Sequence, residues 1–144
     1  AERDGLLPHS LLDLFGVERE RITERLPEAQ APVSQSWYRV IGPFEGCLRT
    51  QQAALAMISD FSLYSTAFSA FPYERPEKVF VGASLDHAIW FHDIPKMDEW
   101  VLYDTYSPWS GGARGYNRGS LWSRDGKLIA STAQEGLMRI RRDR

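Results

Sequence analysis

The fold class this sequence predicts is α+β: one long central helix wrapped by a curved antiparallel β-sheet. Three observations predict it. The segment Leu48 to Phe61 (LRTQQAALAMISDF) has high helix propensity and is apolar almost all round from Ala53 to Ile58, the pattern of a helix enclosed by protein. Four strand-like runs lie in close order in the second half of the chain, the last three joined by hairpin-short links. Gly82, Gly115, Gly119 and Gly136 fall inside those runs, where glycine marks bulges or strong curvature.

The chain has 144 residues, is 43% hydrophobic and 25% charged, and carries a formal net charge of -2. Roughly two-thirds of the surface of an unfolded chain this long is buried on folding, so one core forms without disulfide staples. The single Cys47 has no internal partner and is expected to act as a small core hydrophobe in a reducing compartment. No apolar run approaches the roughly 18 residues that span a bilayer, and the opening AERDG is not a signal peptide, so a cytoplasmic protein with no membrane partner is expected. A start at Ala1 without Met is what a processed product or part of a longer chain would show.

Residues 1–30 read as a lead-in segment. They are charged, hold a short apolar cluster (Leu11, Leu12, Leu14, Phe15) that suits a short helix, and continue into Val17 to Leu26, whose alternating charges suit either an exposed helix or an edge strand. The folded domain is expected over 31–144. In it, Ser34 to Ile41 (SQSWYRVI) is rich in aromatic and β-branched residues and stops at Gly42-Pro43, a strand signal. After the helix and the loop FPYERPEK come strands expected at Val79 to His92, Trp100 to Trp109, Ala113 to Arg124 and Lys127 to Arg141. Gly111-Gly112 joins the second to the third. Asp125-Gly126, a dipeptide favoured in type I′ turns, joins the third to the fourth.

Two polar side chains interrupt apolar faces. Asp60 lies three, four and seven residues after Met57, Ala56 and Ala53, so it projects from an apolar helix face. Either it works there, paired or reactive, or it reaches water near a frayed helix end. Gln134 falls on the more apolar face of the last strand, with Ala130, Thr132 and Met138, where an unpaired amide costs about 1–3 kcal/mol. A bond to backbone or a nearby ligand would each account for it. On an unbroken strand from Val79, Ser84 and Asp86 share one face, expected to be largely buried, while His87 points away, which argues against an Asp86-His87 catalytic pair.

Other chemistries lack their residues. With three histidines and one cysteine there is no convincing metal set, and no phosphate loop, GxSxG elbow or CxxC motif occurs. From Gly112 to the end, eight basic residues face three acidic ones, whereas the rest of the chain is net negative. That basic stretch suits a small polyanion or a solvated face. Nucleic acid is a poor fit to an acidic chain whose aromatic residues are spaced as a core.

The stretch from Ser84 onward closely resembles the end of the second half of type II acyl-CoA thioesterases. The matching runs are D-H-x-x-W-F-H at Asp86 to His92, E-W-x-L-Y at Glu99 to Tyr103, A-R-G at Ala113 to Gly115 and Q-E-G at Gln134 to Gly136, in family order. The resemblance is strong from about Gln52 to Ile140 and implies a hotdog fold, a long helix wrapped by an antiparallel sheet. It also implies that Asp60, Ser84 and Gln134 hold and polarise a water for direct attack on an acyl-CoA thioester, with no covalent intermediate and no cofactor. Ser84 stands where Thr is more frequent in the family and keeps the hydroxyl. Arg114, Arg118 and His87 are candidates for substrate binding, the arginines through the CoA phosphates. Since the family chain holds two hotdog repeats and this one shows no internal repeat, a homo-oligomer or pairing with a second hotdog domain is expected. Two other readings stay open: a non-catalytic hotdog subunit that pairs with another chain, and a hotdog enoyl-CoA hydratase.

Overall fold

The computed structural model describes residues 15–24, 28–42, 44–71 and 80–140. Within them the element order is β1 (Val17–Arg21), β2 (Val33–Val40), α1 (Leu48–Leu63), a 3₁₀ segment (Tyr64–Ala70), β3 (Phe80–Ser84), β4 (Ala88–Phe91), β5 (Val101–Gly111), β6 (Arg114–Ser123) and β7 (Leu128–Ile140). The strands form one antiparallel sheet in the order β1-β2-β5-β6-β7-β3, with β4 also pairing with β7. This curled half-barrel around one helix is the predicted fold class.

The Val17 segment settles as a strand. Val17 is buried in the core opposite Val40, while Glu18 and Arg39 form an ion pair of 2.7 Å at the solvated edge. Of the expected lead-in helix, Leu11, Leu12 and Leu14 lie outside the described residues; Phe15 is half exposed, its ring 5.7 Å from that of Phe61. The core gathers Leu55, Ile58 and Leu63 of α1 against Tyr38, Val101, Tyr103, Leu121, Ile129 and Ala130 of the sheet. The sheet wraps only one side of α1. Ala53 is exposed and Ala56, Met57 and Asp60 are half-buried, so the apolar flank of the helix that carries Asp60 stays open.

Three local expectations are corrected. The hairpin after β5 is the tighter one: Gly112 and Ala113, at φ of 56° and 61°, form its two-residue loop with the paired positive φ values of a type I′ turn. At Asp125-Gly126 only Gly126 has positive φ, and a register shift between Leu121 and Trp122 absorbs a third loop residue. Cys47 is exposed rather than in the core, because it sits just before the first turn of α1, where its thiol lies 3.5 Å from the Thr50 hydroxyl.

The largest correction concerns the run from Val79 to His92, which is two strands rather than one. The register runs to Ser84 opposite Gly136 and resumes with Ala88 opposite Ala133, so three residues of this edge face two of β7. This is a β-bulge, and it reverses the alternation of faces. Asp86 holds it in place, its carboxylate accepting the Glu135 N–H at 2.7 Å where a strand carbonyl would otherwise stand. The run is also less buried than expected: Val81, Leu85 and Trp90 are about half exposed.

Candidate active site

Gln134 lies on the helix-facing side of β7 and is completely buried. Its Nε2–H donates to Asp60 Oδ1 across 2.5 Å, joining the last strand to the final turn of α1. Asp60 is therefore paired rather than frayed. Asp60 itself is half-buried, and the Gln134 carbonyl Oε1 is buried with no partner among the described residues. The pair thus presents a carboxylate that can take a proton beside an amide oxygen that can accept a hydrogen bond.

Ser84 reaches this region from the other neighbour of β7. Gly82, two residues earlier, faces the helix side, since a Cβ built there would press on Tyr64 and Phe68. Ser84 shares that face, opposite Gly136 and one step diagonally from Gln134. Gly136 is needed for the same reason as Gly82: its Cβ would come within 2.9 Å of the Tyr64 Cβ, so glycine lets the strand close on the 3₁₀ segment. Unlike Gln134, Ser84 is exposed, because β3 is the last strand of the sheet and nothing described covers its outer edge.

The bulge turns His87 inward, contrary to the alternation of an unbroken strand. Its Nε2 lies 2.8 Å from the Ser59 hydroxyl, and that hydroxyl also donates to the Ala56 carbonyl at 2.9 Å. One hydroxyl has one hydrogen, so with that hydrogen on Ala56 the imidazole is the donor through Nε2–H. Nδ1 is left buried without a partner. Ser59 is tethered again from below, where Tyr103 donates to its carbonyl at 3.1 Å while lying 2.8 Å from the Thr132 hydroxyl. Burial pushes the Tyr103 phenol well above the ordinary range; the Thr132 hydrogen bond opposes it in part, and the Tyr38 and Asp60 charges add smaller upward pushes. Tyr103 therefore acts as a neutral strut. Together these contacts fix residues 59 and 60 of α1 against the bulge before β4 and against β5 and β7.

Arg114 and Arg118 are not brought to this group. Gly115, Asn117 and Gly119 take the buried, helix-facing side of β6, so the two arginines point to the opposite surface. There Arg114 pairs with Glu135 at 3.2 Å and lies over the Trp109 ring at 5.9 Å. Among the described residues no three His, Cys, Asp or Glu side chains form a metal-binding group, and no helix is long and apolar enough to cross a membrane.

One residue of the group escapes a motif-based reading. Asn117, fully buried, stands directly opposite Gln134 on β6. The signal for it is the alternation Gly115, Asn117, Gly119, Leu121, which puts an amide in line with three residues of an interior face.

Residues 8–138 match the family model described as the acyl-CoA thioesterase C-terminal domain. Acyl-coenzyme A thioesterase 8 of Mus musculus is 41% identical over 115 residues, covering 79% of this chain and 35% of that protein. This chain thus spans about a third of the length of the curated relative. Among solved structures, an acyl-CoA thioesterase II, TesB2, from Mycobacterium marinum superposes with a TM-score of 0.77 at 32% identity, over 90% of this chain and 51% of that one. A protein from Alicyclobacillus acidocaldarius described as having the hot dog fold gives a TM-score of 0.70 at 18% identity, over 93% of this chain and 49% of that one, a likeness of fold alone.

Proposed function

The chain belongs to the acyl-CoA thioesterase C-terminal domain family, and from that premise we propose that it carries the hydrolytic site of an acyl-CoA thioesterase, built from Asp60, Ser84 and Gln134. The observation that supports this most is the Gln134 to Asp60 hydrogen bond, which joins a carboxylate and an amide from elements 74 residues apart. A structural amide would suffice with backbone partners, whereas this one engages an acid and leaves its own oxygen open.

In the proposed reaction Asp60 takes a proton from a water that Ser84 and the Gln134 carbonyl help to orient. The water oxygen attacks the thioester carbonyl, and the tetrahedral intermediate expels the CoA thiolate, which takes up the proton held on Asp60. Free CoA and a carboxylic acid result, without a covalent enzyme intermediate. His87 is assigned to the substrate side of this site through its inward imidazole. Arg114 and Arg118 are assigned to the CoA phosphates, which would have to reach the outer face of β6 to meet them. A second hotdog domain, from another copy or another chain, is proposed to cover the β3 edge and complete the mouth at Ser84. A cytoplasmic location is part of the same reading, and nucleic acid is not.

Thiol release from short, medium and long acyl-CoAs, with Asp60→Asn and Gln134→Ala beside the wild type, tests the reading. Release that both variants abolish while staying folded supports it. A folded wild type that releases no thiol from any substrate overturns it in favour of the non-catalytic subunit. The hydratase reading draws on a specific observation, since the bulge brings His87 onto Ser59, the residue before Asp60, and hydration of an enoyl thioester uses an acid and a base. Loss of enoyl absorbance without thiol release would select it.

A further inference from the structure

Asn117 is fully buried on the concave face of β6, where an apolar side chain would cost less. Its position is set by register: it stands opposite Gln134, and paired residues on adjacent antiparallel strands have Cβ atoms about 5 Å apart. Each amide already has its nitrogen committed. Gln134 Nε2 donates to Asp60 and Asn117 Nδ2 donates to the Gly115 carbonyl at 3.3 Å. Rotating either amide by half a turn would set an oxygen against an oxygen, so what the nitrogens meet favours these orientations over the flipped ones. The consequence is two carbonyl oxygens, Gln134 Oε1 and Asn117 Oδ1, on neighbouring side chains, both buried and both without a donor among the described residues.

Two adjacent acceptors call for one small group with two hydrogens. Water is that group, and buried waters characteristically join two to four polar atoms that the protein leaves unsatisfied. We propose that Asn117 is a positioning residue of the site: with Gln134 it seats one buried water that donates to both carbonyl oxygens, which locks the Gln134 amide with its Nε2–H toward Asp60. This rests on the thioesterase reading for its effect on rate but not for the seat itself. The seated water takes one of the two lone pairs of Gln134 Oε1 and leaves the other for the reacting water, so Asn117 acts through Gln134 and touches no reacting atom. Its loss lets the Gln134 amide turn, and Asp60 is then correctly held for only part of the time.

The test uses Asn117→Val, which fills the space without an acceptor, and Asn117→Ser, which keeps one. In the wild type the side-chain NH₂ of Gln134, followed by ¹⁵N NMR, is expected as two sharp, exchange-protected resonances. In Asn117→Val they are expected to merge or lose protection, and in Asn117→Ser to persist. For activity, Asn117→Val is expected to lower kcat about tenfold with KM unchanged, Asn117→Ser to recover part of it, and Asn117→Val to add nothing in a Gln134→Ala background. Asn117→Val and Asn117→Ser both give up the Gly115 contact, so a loss of rate in Asn117→Val that exceeds that of Asn117→Ser at equal melting temperature separates positioning from mere packing. An unchanged Gln134 resonance pair in folded Asn117→Val overturns the proposal even if the wild type proves inactive. Should Asn117→Val not fold, an Asn117→Ser protein with a freely exchanging Gln134 amide overturns it equally. Losses in kcat that simply multiply with those of Gln134→Ala also count against it.

Discussion

The two neighbours of β7 differ in how they present their helix-facing residues. On the β6 side Gly115, Asn117, Gly119 and Leu121 are all buried, whereas on the β3 side Gly82 and Ser84 are exposed on the last strand of the sheet. The acid and amide of the candidate site belong to the first environment and its hydroxyl to the second. Asp60 is held from behind by a finished interior, through Gln134, Ser59 and the Tyr103 strut. Ser84 has no such backing among the described residues. Preorganised polar groups act most strongly where water is excluded, so on the proposed reading the deep half sets the chemistry and the edge half depends on a covering domain.

The deep half should therefore show the largest effects. Asp60→Asn and Gln134→Ala are each expected to lower kcat by about 10²–10⁴, the range for losing a general base or the group that aims it, with the circular dichroism spectrum preserved. A loss of less than tenfold in either would remove it from the reacting centre. Ser84→Ala is expected to cost about tenfold, since one neutral hydrogen bond is worth about 1–1.5 kcal/mol. If the edge is covered by a second copy, sedimentation at micromolar concentration will show a dimer or larger species, and Val81→Asp with Leu85→Asp, both on exposed positions beside Ser84, will lower mass and activity together. A wild type that sediments as a monomer with full activity would abolish the distinction between the two halves.

Tyr103 probes the strut beneath Asp60. Tyr103→Phe removes the donor to the Ser59 carbonyl and the partner of Thr132, for an expected loss of about 1–2 kcal/mol read as a lower denaturant midpoint. The phenol also gives a pH signature. Its folded-state pKa is raised, so above the ordinary phenol pKa of about 10 the unfolded chain releases a proton that the folded one keeps, and stability falls as pH rises. Below that value the contribution is fully present. Melting temperature followed from pH 8 upward should drop more steeply in the wild type than in Tyr103→Phe; equal slopes would show that the phenol is not held neutral.

What the sequence made legible follows the same division. The β5, β6 and β7 meander is encoded locally, by alternation and by Gly-containing turns, and Gln134 falls out of that alternation as an interior amide. Asp60 is legible from helical spacing for the same reason. The β3 to β4 edge is not, because the bulge depends on the Asp86 carboxylate meeting the Glu135 N–H, a contact between residues 49 apart that no local pattern announces. Reading through the bulge as one strand turned His87 to the wrong face. The exposure of Cys47 is illegible for the opposite reason: cysteine side chains are usually buried, whereas this one heads a helix in solvent. Asn117 falls on the interior face by the same alternation that places Gln134.

The smallest effects belong to the surface that neither half of the site faces. Arg114 and Arg118 share the outer side of β6, yet they differ in what they have to give: Arg114 is engaged by Glu135 and by the Trp109 ring, whereas Arg118 has no ion pair among the described residues. A phosphate arriving at this surface would have to compete with Glu135 for Arg114 but not for Arg118. Exposed ion pairs contribute about 0.2–1 kcal/mol, so Arg118→Gln should raise KM for acyl-CoA about two- to fivefold at low ionic strength, and Arg114→Gln by less, with kcat unchanged in both. The effect should shrink with added salt and vanish for a substrate truncated to the acyl-pantetheine, which lacks the nucleotide phosphates. An unchanged KM in both variants would take the arginines out of substrate binding and leave the CoA phosphates to the domain that covers the β3 edge, a result that would place the whole nucleotide on the open side of the molecule.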